Sequence, residues 1–433
     1  MASGEDGVRM AVKESLVRYA RRTAEHSTSG LPDDWKLVCV EDAGEVLGGR
    51  QRSPAAQGEM TPYLRVANVF AGHIDTSDVL QMPFTSEERA RFSLRVGDIL
   101  LNEGQSLDLV GRSAIYKGEP PNCCFQNTLV RFRSGESTDS NYAQYLFESF
   151  LRRGEFAKIA LQTTSIAHLG AGRFGRMTFV APPRGEQAAI GQSLADADAL
   201  IDSLEQLLTK KRQIKQGAMQ ELLTGKRRLP GFVERWQTRS LNSLANIQRG
   251  ASPRPIDDPA WFDDTSSVGW VRISDVTRAG MHLETTTQRL SDAGVRKSRF
   301  VRAGSLIMSI CATVGRPIIT TLNTCIHDGF VVFDALAVDQ KFLYYALRNI
   351  EDKWSERGQT GSQMNLNTGL INGTTIPVPD SHEEQIALAE VLFDMDAEIA
   401  ALESRLTKAR ALKQAMAQAL LTGRIRLVEG ATP

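Results

Sequence analysis

The sequence predicts an α+β fold, in which two strand-rich α/β domains related by a pseudo-twofold internal repeat are separated by two long antiparallel coiled-coil helices. The first observation is a direct repeat. Residues 186–229 align without a gap on residues 384–427, and 23 of the 44 positions are identical. The second observation is that each copy follows a mixed region of short apolar runs punctuated by glycine and proline, as expected of strands and turns. A repeat of this length is a whole domain with its helix rather than a solenoid module.

The repeat defines the organisation of the chain. The predicted parts are an N-terminal extension (residues 1–30), a first mixed region (31–185), a first helical segment (186–228), a second mixed region (229–383), a second helical segment (384–427) and a tail (428–433). In the extension, Val12, Leu16, Tyr19 and Thr23 share one helical face. This piece is either a helix that docks on the long helices or on a partner, or a disordered leader.

Composition bounds the class of protein. At 433 residues with 24% charged side chains, the chain is expected to be a globular protein of two or more domains. The longest apolar stretch, Ser305–Val314, is too short to span a bilayer, and residues 1–30 do not resemble a secretory signal. We therefore expect a cytoplasmic protein without a membrane partner. The five cysteines show no metal-ligand spacing, which favours free thiols.

The repeated segments read as helices. Apolar residues alternate mostly three and four positions apart, a spacing that lays a narrow stripe along a helix and suits pairing with a second helix. The stripe comprises Ile201, Leu204, Leu208, Ile214, Ala218 and Leu222 in the first copy, and Leu392, Met395, Ile399, Leu402, Leu406, Ala409, Leu412, Met416 and Leu420 in the second. Ser381 and Glu384 have capping-box spacing at the start of the second helix. Gly225 and Gly423 are expected to end the two helices in the left-handed conformation.

The mixed regions carry matching landmarks in the same order, with helices expected near residues 142–153 and 340–354. The pairs are Leu31–Trp35 with Leu229–Trp236, Tyr63–Val69 with Trp270–Val276, Val96–Leu100 with Ala303–Ile307, Val110–Arg112 with Val314–Arg316, and Cys124–Asn127 with Cys325–Asp328. Both members of the second pair alternate like half-buried strands. A shared order of parts with different surface residues is expected of two similar scaffolds that bind different targets.

This order of parts, from about Leu31 to Leu427, resembles the DNA-specificity subunit of Type I restriction–modification enzymes. The most specific marks are the helices that open with Glu186-Gln187 and Glu384-Gln385 and close with Leu-Leu-Thr-Gly. The Leu-Pro-x-x-Trp entry, the glycine-rich turns (Gly48 to Pro54 and Gly250 to Pro253) and the run Gly361–Leu366 support it. The first copy of that run departs from the pattern at Thr163–Ile166.

The resemblance implies function and partners. Each mixed region corresponds to a target-recognition domain that reads one half of a split sequence in double-stranded DNA. Two methylation subunits dock on the helices, and restriction–translocase subunits join in the full complex. The chain itself is then non-catalytic and holds no cofactor or metal. S-adenosylmethionine, ATP and magnesium belong to the partner subunits.

Helix length predicts a spacer. From Asp196 to Leu223 the helix spans 28 residues, or roughly 42 Å, on the order of 12 base pairs. Domains held apart by such a rod would face one side of a duplex and leave a fixed, unread gap. The electrostatics indicate weak DNA binding by the chain alone, since lysines and arginines number 17 against 18 acids in residues 31–185 and 16 against 16 in residues 230–383.

Loop residues that can make paired hydrogen bonds are the candidate base readers. They are Arg50, Arg52, Asn68, Gln126, Thr164 and Ser165 in the first domain, and Arg254, Ser274, His327, Gln363 and Asn365 in the second. Local clusters such as Arg50 with Arg52, or Arg173 with Arg176, are candidates for phosphate contacts. The basic run Lys210–Arg212 with Lys215 is either a solvated helix face or a contact for a partner or phosphates.

Catalytic motifs are missing from the sequence. Gly170–Gly175 fits a dinucleotide-binding pattern but lacks its strand–turn–helix setting, so we expect a glycine-rich loop. There is neither a phosphate-binding P-loop nor the Pro-Pro-aromatic motif of amino-methyltransferases. The six histidines do not have the spacing of a metal site or of a site for nucleophilic catalysis. The alternatives are a coiled-coil scaffold or adaptor without a DNA role, and a DNA-modifying enzyme of unrecognised type. Activity of the purified chain with cofactors would identify the enzyme.

Overall fold

The computed structural model describes residues 32–51, 53, 57–163, 165–357 and 366–427. The chain folds as two compact units. Of the described residues, those up to Leu204 and those from Arg405 onward form the first unit, and those between Glu205 and Ser404 form the second. The predicted mixed regions each fall within one unit, whereas each predicted helical segment is divided between both. The extension (1–30) and the tail (428–433) lie outside the described residues.

The first unit is built from short strands and helices, as the punctuation of its sequence predicts. Its strands are β1 Lys36–Cys39, β2 Gly44–Gly48, β3 Glu59–Leu64, β4 Leu80–Phe84, β5 Ile99–Asn102, β6 Gly104–Gln105, β7 Ser113–Ile115, β8 Cys124–Phe125, β9 Leu129–Ser134, β10 Leu161–Gln162, β11 Ala167–His168 and β12 Thr178–Ala181. Its helices are α1 Val40–Ala43, a 3₁₀ turn Val66–Asn68, α2 Ser86–Phe92, α3 Ser140–Arg152, α4 Glu155–Ile159 and α5 Ala171–Gly175. The long helix α6, Arg184–Leu222, follows.

Two apolar layers lie on the two faces of the central sheet of the first unit, ordered β2-β9-β5-β7. Side chains alternate along its strands. Ile99 and Leu101 face helix α3 and a cluster of phenylalanines, while Leu100 faces the opposite layer with Phe125. The second layer is closed by the sheet β4-β3-β8. Because the side chains on both faces of this sheet are buried, its strands read as continuous apolar runs in the sequence.

The second unit repeats this plan. Its strands are β13 Trp236–Ser240, β14 Asn246–Arg249, β15 Gly269–Val271, β16 His282–Leu283, β17 Gln288–Arg289, β18 Arg299–Val301, β19 Leu306–Ser309, β20 Pro317–Thr320, β21 Thr324–Ile326, β22 Phe330–Asp334 and β23 Thr375–Pro379. Its helices are α7 Leu241–Leu244, a 3₁₀ turn Pro259–Trp261, α8 Ile273–Arg278, α9 Asp292–Arg296, α10 Gln340–Asn349, α11 Glu351–Arg357 and α12 Thr368–Gly373. The long helix α13, His382–Leu420, follows. The sheets are ordered β14-β22-β19-β20-β16, β17-β15-β21-β18 and β13-β23.

Two glycines confirm that the pair Val110–Arg112 and Val314–Arg316 is structurally equivalent. Gly111 and Gly315 have φ of +82° and +81°. A Cβ at either position would lie 2.3 Å from the ring of Phe156 or 2.1 Å from the ring of Trp354, respectively. Each glycine is therefore required both by its backbone conformation and by an aromatic ring seated against it.

The long helices run antiparallel within each unit. In the second unit Lys215 pairs with Asp396 at 2.5 Å and Lys211 pairs with Glu398 at 2.6 Å, so the numbering falls on one helix as it rises on the other. In the first unit Lys413 pairs with Asp198 at 2.6 Å. The predicted antiparallel pairing is confirmed. The basic residues Lys211 and Lys215 therefore form ion pairs with carboxylates of α13.

The helix ends follow the predicted signals with one difference. Gly225 and Gly423 both have φ of +71° and end their helices as expected. Ser381 caps the backbone N–H of Glu384 at 3.1 Å, but the Glu384 side chain does not complete a capping box. Its carboxylate binds an arginine instead, because the residue is fully buried beside that cation.

Three other expectations are corrected. The strands predicted over Tyr63–Val69 and Trp270–Val276 end at Leu64 and Val271, because Asn68 and Asp275 accept hydrogen bonds from the backbone of Arg65 and Arg272 and turn the chain into short helices. The glycine-rich loop at Gly170–Gly175 contains the short helix α5. Within the apolar stripe, the equivalent residues Ile214 and Leu412 are 48% and 61% exposed.

Candidate nucleic-acid interface

In each unit a glycine-rich turn lies directly against a second loop. A Cβ on Gly49 would lie 2.1 Å from the carbonyl oxygen of Gln126, and one on Gly250 would lie 2.0 Å from that of His327. Both turns are also held by backbone bonds to the loop and its flanking strands, such as Gly49 N–H to Leu129 O and Gly250 N–H to Phe330 O. Glycine at these positions allows two backbone segments to approach closely.

A third loop joins the other two through equivalent backbone bonds. In the first unit, Leu169 N–H donates to Glu103 O at 2.7 Å, and Glu103 N–H donates to Thr128 O at 2.9 Å. In the second unit, Leu366 N–H donates to Ile310 O at 2.9 Å, and Ile310 N–H donates to Gly329 O at 2.8 Å. We call each assembly a loop edge. The first comprises residues 49–51, 103–106, 126–128 and 165–169, and the second comprises residues 250–254, 310–313, 327–329 and 366.

The structure brings three predicted base readers of the first unit to this loop edge. Arg50 bridges to Gln126 through the backbone, and Ser165 lies exposed in the turn of the β10–β11 hairpin. The side chain of Gln126 is half-buried and makes no hydrogen bond to the described residues. Arg50 is different, since its guanidinium is buried, binds Glu88 at 2.8 Å and stacks on Phe84 at 4.9 Å.

Asn68 lies apart from the loop edge as a structural residue. It is 2% exposed. Its amide donates to the carbonyl oxygens of Asp75 and Asp78 at 3.0 and 2.9 Å, and its side-chain oxygen accepts from Arg65 N–H. Three hydrogen bonds leave it little capacity for a base. Arg52, Thr164, Gln363 and Asn365 lie outside the described residues.

In the second unit, Arg254 and His327 lie on the loop edge. Arg254 reaches Asp328 at 3.3 Å with its side chain 69% exposed. Burial lowers the pKa of His327 to about 4, and its Nδ1 accepts from Gly329 N–H at 2.9 Å. The ring is therefore neutral at pH 7 and its Nε2 carries the proton. Ser274 is exposed on α8, outside the loop edge.

Sequence reasoning passed over two residues of these edges. Asn127 is exposed beside Gln126, and its backbone N–H donates to Arg50 O. Asp328 is its counterpart and is 44% exposed. Hydrogen bonding from Ser252, with Arg254 nearby, lowers the pKa of Asp328. The signal was available, because the repeat aligns Cys124–Asn127 with Cys325–Asp328; both residues can pair with base edges.

A second arrangement that occurs in both units, the helix clamp, lies where each mixed region meets the long helices. In the second unit the Glu384 carboxylate accepts two bonds from Arg228 at 2.8 and 2.6 Å and one from Trp236 Nε1 at 3.3 Å. In the first unit Glu186 accepts two bonds from Arg426, both at 2.7 Å, and one from Trp35 Nε1 at 3.3 Å. This explains why the glutamates and arginines are identical in the two copies.

The neighbouring glutamines complete the clamp. Gln385 accepts from Asp339 N–H at 2.8 Å and donates to Pro379 O at 2.9 Å. Gln187 makes the same two contacts with Asp139 N–H and Pro182 O, at 3.0 and 2.9 Å. The Glu-Gln motif therefore fixes the start of each long helix to the mixed region that precedes it.

Polar triads secure the helices farther along. Tyr145 donates to Asp198 at 2.7 Å in the first unit, and Tyr345 donates to Asp396 at 2.9 Å in the second. Lys413 and Lys215 pair with the same two aspartates and lie over the two tyrosine rings.

Among the described residues, no helix has the length and apolar character needed to cross a membrane.

Residues 233–409 match a family described as the Type I restriction modification DNA specificity domain. The putative type I restriction enzyme MjaX specificity subunit of Methanocaldococcus jannaschii is 23% identical, over 92% of this chain and 95% of the relative. The EcoKI specificity subunit of Escherichia coli is 26% identical over 37% of this chain and 35% of the relative.

Solved structures share the fold over nearly the whole chain. A chain from a study of complex assembly and conformational transition in the type I R-M system has a TM-score of 0.58 and 16% identity, covering 91% of this chain and 99% of that one. The Type I restriction–modification S subunit from M. genitalium has a TM-score of 0.55 and 13% identity, with 91% and 97% covered.

Proposed function

We propose that this chain, a DNA-specificity subunit of the Type I restriction–modification family, reads a split DNA target with one loop edge per half-site and performs no catalysis itself. The observation that carries the proposal is the repetition of the loop edge. The same backbone bonds hold it in both units, while the side chains that it presents differ, as with Gln126 and His327 or Asn127 and Asp328.

Different side chains on one framework support different half-sites. Glutamine and asparagine can pair with the hydrogen-bonding edge of adenine, whereas an aspartate can accept from the amino group of cytosine. A single well-made pair of this kind is worth about 1–3 kcal/mol of discrimination. We propose Gln126, Asn127 and Ser165 as readers of the first half-site, and Arg254, His327 and Asp328 as readers of the second.

The long helices support a fixed spacer between the half-sites. Helix α6 has 39 residues, or roughly 58 Å at about 1.5 Å per residue. The test is to insert seven residues after Leu204 and seven after Ser404, so that both paired helices grow by two turns. The spacer should lengthen by about 10 Å, or about three base pairs, with both half-sequences unchanged. Changed half-sequences would contradict the idea.

Partner subunits supply the chemistry in this proposal. Two methylation subunits bind the helices and bring S-adenosylmethionine, and restriction–translocase subunits bring ATP and magnesium chemistry. The equivalent apolar residues Ile214 and Leu412 are exposed on the two long helices, and we propose that the methylation subunits cover them. The isolated chain should bind DNA weakly and the assembled complex more tightly, because the two mixed regions have almost no net charge.

The decisive experiment is methylome sequencing of cells with and without the chain. Loss of one split methylation motif, with its two half-sites and gap, is the expected result. An unchanged methylome would overturn the proposal and favour a coiled-coil adaptor. Methylation or cleavage by the purified chain with cofactors alone would instead identify an enzyme. Exchanging Gln126 and Asn127 for alanine should relax one half-site and leave the other intact.

A further inference from the structure

One stretch of the second mixed region carries an excess of positive charge. Between Asp292 and Asp328 there is no acidic residue, whereas five arginines and lysines occur there. Four of these lie close together in the run Arg296-Lys-Ser-Arg-Phe-Val-Arg302. The chain as a whole is neutral, so this local excess is not a consequence of composition.

The fold adds a fifth cation from a different sheet. Arg299 begins β18, the last strand of one sheet, and Arg249 ends β14, the last strand of another. Arg299 Nε donates to Arg249 O at 2.7 Å, and its Nη1 donates to Gln248 Oε1 at 2.5 Å. We call the five residues Arg249, Arg296, Lys297, Arg299 and Arg302 the basic strip.

The basic strip is exposed and uncompensated. Arg249, Arg296, Lys297 and Arg302 are exposed, and the ring of Phe300 among them is 44% exposed. Arginine ion pairs of the mixed region in the second unit join Arg254 to Asp328, Arg278 to Asp275 and Arg348 to Glu351. Within the described ranges, no ion pair includes a residue of the basic strip. Unpaired cations kept together on a surface favour an anionic partner.

The basic strip adjoins the loop edge of the second unit. Arg249 immediately precedes Gly250, and its Nε donates to the backbone oxygen of Asp328 at 2.8 Å. The equivalent segment of the first unit, residues 86–95, is different. There Glu88 pairs with Arg50 and Arg89 pairs with Glu59, so carboxylates offset part of its charge.

We propose that the basic strip binds backbone phosphates of the duplex beside the half-site that the second unit reads. The second unit thereby supplies more of the sequence-independent affinity for DNA than the first unit does. This inference rests on the proposed function. Phosphate contacts fix the register of a protein on DNA while neighbouring loops read base edges. Each phosphate contact contributes about 0.9 to the slope of log affinity against log salt concentration.

The test uses the chain assembled with its methylation subunits. Binding to a duplex that carries the methylated motif, and to a scrambled duplex, is measured between about 50 and 200 mM salt. The double variant Arg296→Gln/Lys297→Gln should reduce the steepness of the plot of log affinity against log salt concentration by about 2 on both duplexes. Between about 50 and 200 mM salt, the variant should therefore lose about tenfold less affinity than the parent protein. Arg302→Gln should reduce this steepness by about 1. Both variants spare Arg249 and Arg299, whose hydrogen bonds join the two sheets.

The matched control is Arg235→Gln/Lys353→Gln, which removes the same charge from exposed residues beside the other core of this unit. Its slope should stay at the parent value. An unchanged slope in the strip variants, or an equal change in the control, would overturn the inference. Failure of the proposed function is a separate result, because it is the absence of a chain-dependent methylation motif in cells.

Discussion

Removing the carboxylate of Glu384 should destabilise the second unit strongly. The side chain is fully buried and accepts two bonds from Arg228 and one from Trp236. Glu384→Ala leaves the Arg228 guanidinium, which is 29% exposed, without its counter-ion. Loss of one member of a buried pair costs about 3–5 kcal/mol, and the partial exposure of Arg228 lowers the expected loss to about 3 kcal/mol. For a unit of 200 residues this corresponds to roughly 6–12 °C in melting temperature.

Glu383→Ala is the matched control, because it removes the same side chain from the adjacent, exposed position. Its melting curve should stay close to that of the parent. Thermal unfolding followed by circular dichroism gives both values. A loss below about 1 kcal/mol for Glu384→Ala, similar to an exposed ion pair, would refute the reasoning that this clamp secures the helix start. A double-mutant cycle with Arg228→Ala would then separate the pair from the tryptophan contact.

Three further predictions can be checked by equilibrium unfolding. Gly315→Ala should destabilise by more than about 1 kcal/mol, because its Cβ would meet the Trp354 ring, whereas Gly217→Ala, on an open face of α6, should stabilise by about 0.5–1 kcal/mol. Tyr345→Phe should cost about 1–2 kcal/mol through loss of the bond to Asp396, and Tyr344→Phe, whose hydroxyl bonds to none of the described residues, should cost less. Burial lowers the pKa of His327 from 6.5 to about 4, so the unfolded chain takes up the proton first. Stability should be full above pH 6.5 and fall towards pH 4 by up to about 3 kcal/mol, and His327→Gln should flatten this dependence.

The sequence predicts the helices and the repeat well, because these depend on local rules. Spacing of apolar residues identified α6 and α13, and glycine ended both. The strands over Tyr63–Val69 and Trp270–Val276 were overextended for a different reason. Their alternation continues past the true ends, but the side chains of Asn68 and Asp275 cap backbone N–H groups and start short helices. A side-chain cap that competes with a strand is invisible to periodicity.

The candidate site was harder to predict, because the same residue types serve the framework and the surface. Arg50 and Gln126 have equal claims in sequence, yet the structure buries the Arg50 guanidinium against Glu88, whereas the amide of Gln126 bonds to none of the residues that the structure describes. Charge balance was similarly uninformative. A count over residues 230–383 gives neutrality, whereas the fold gathers Arg249 and the run from Arg296 to Arg302 on two adjoining sheet edges. Recognition of DNA depends on where charges lie and which of them are already paired, and both follow from tertiary contacts between strands far apart in sequence.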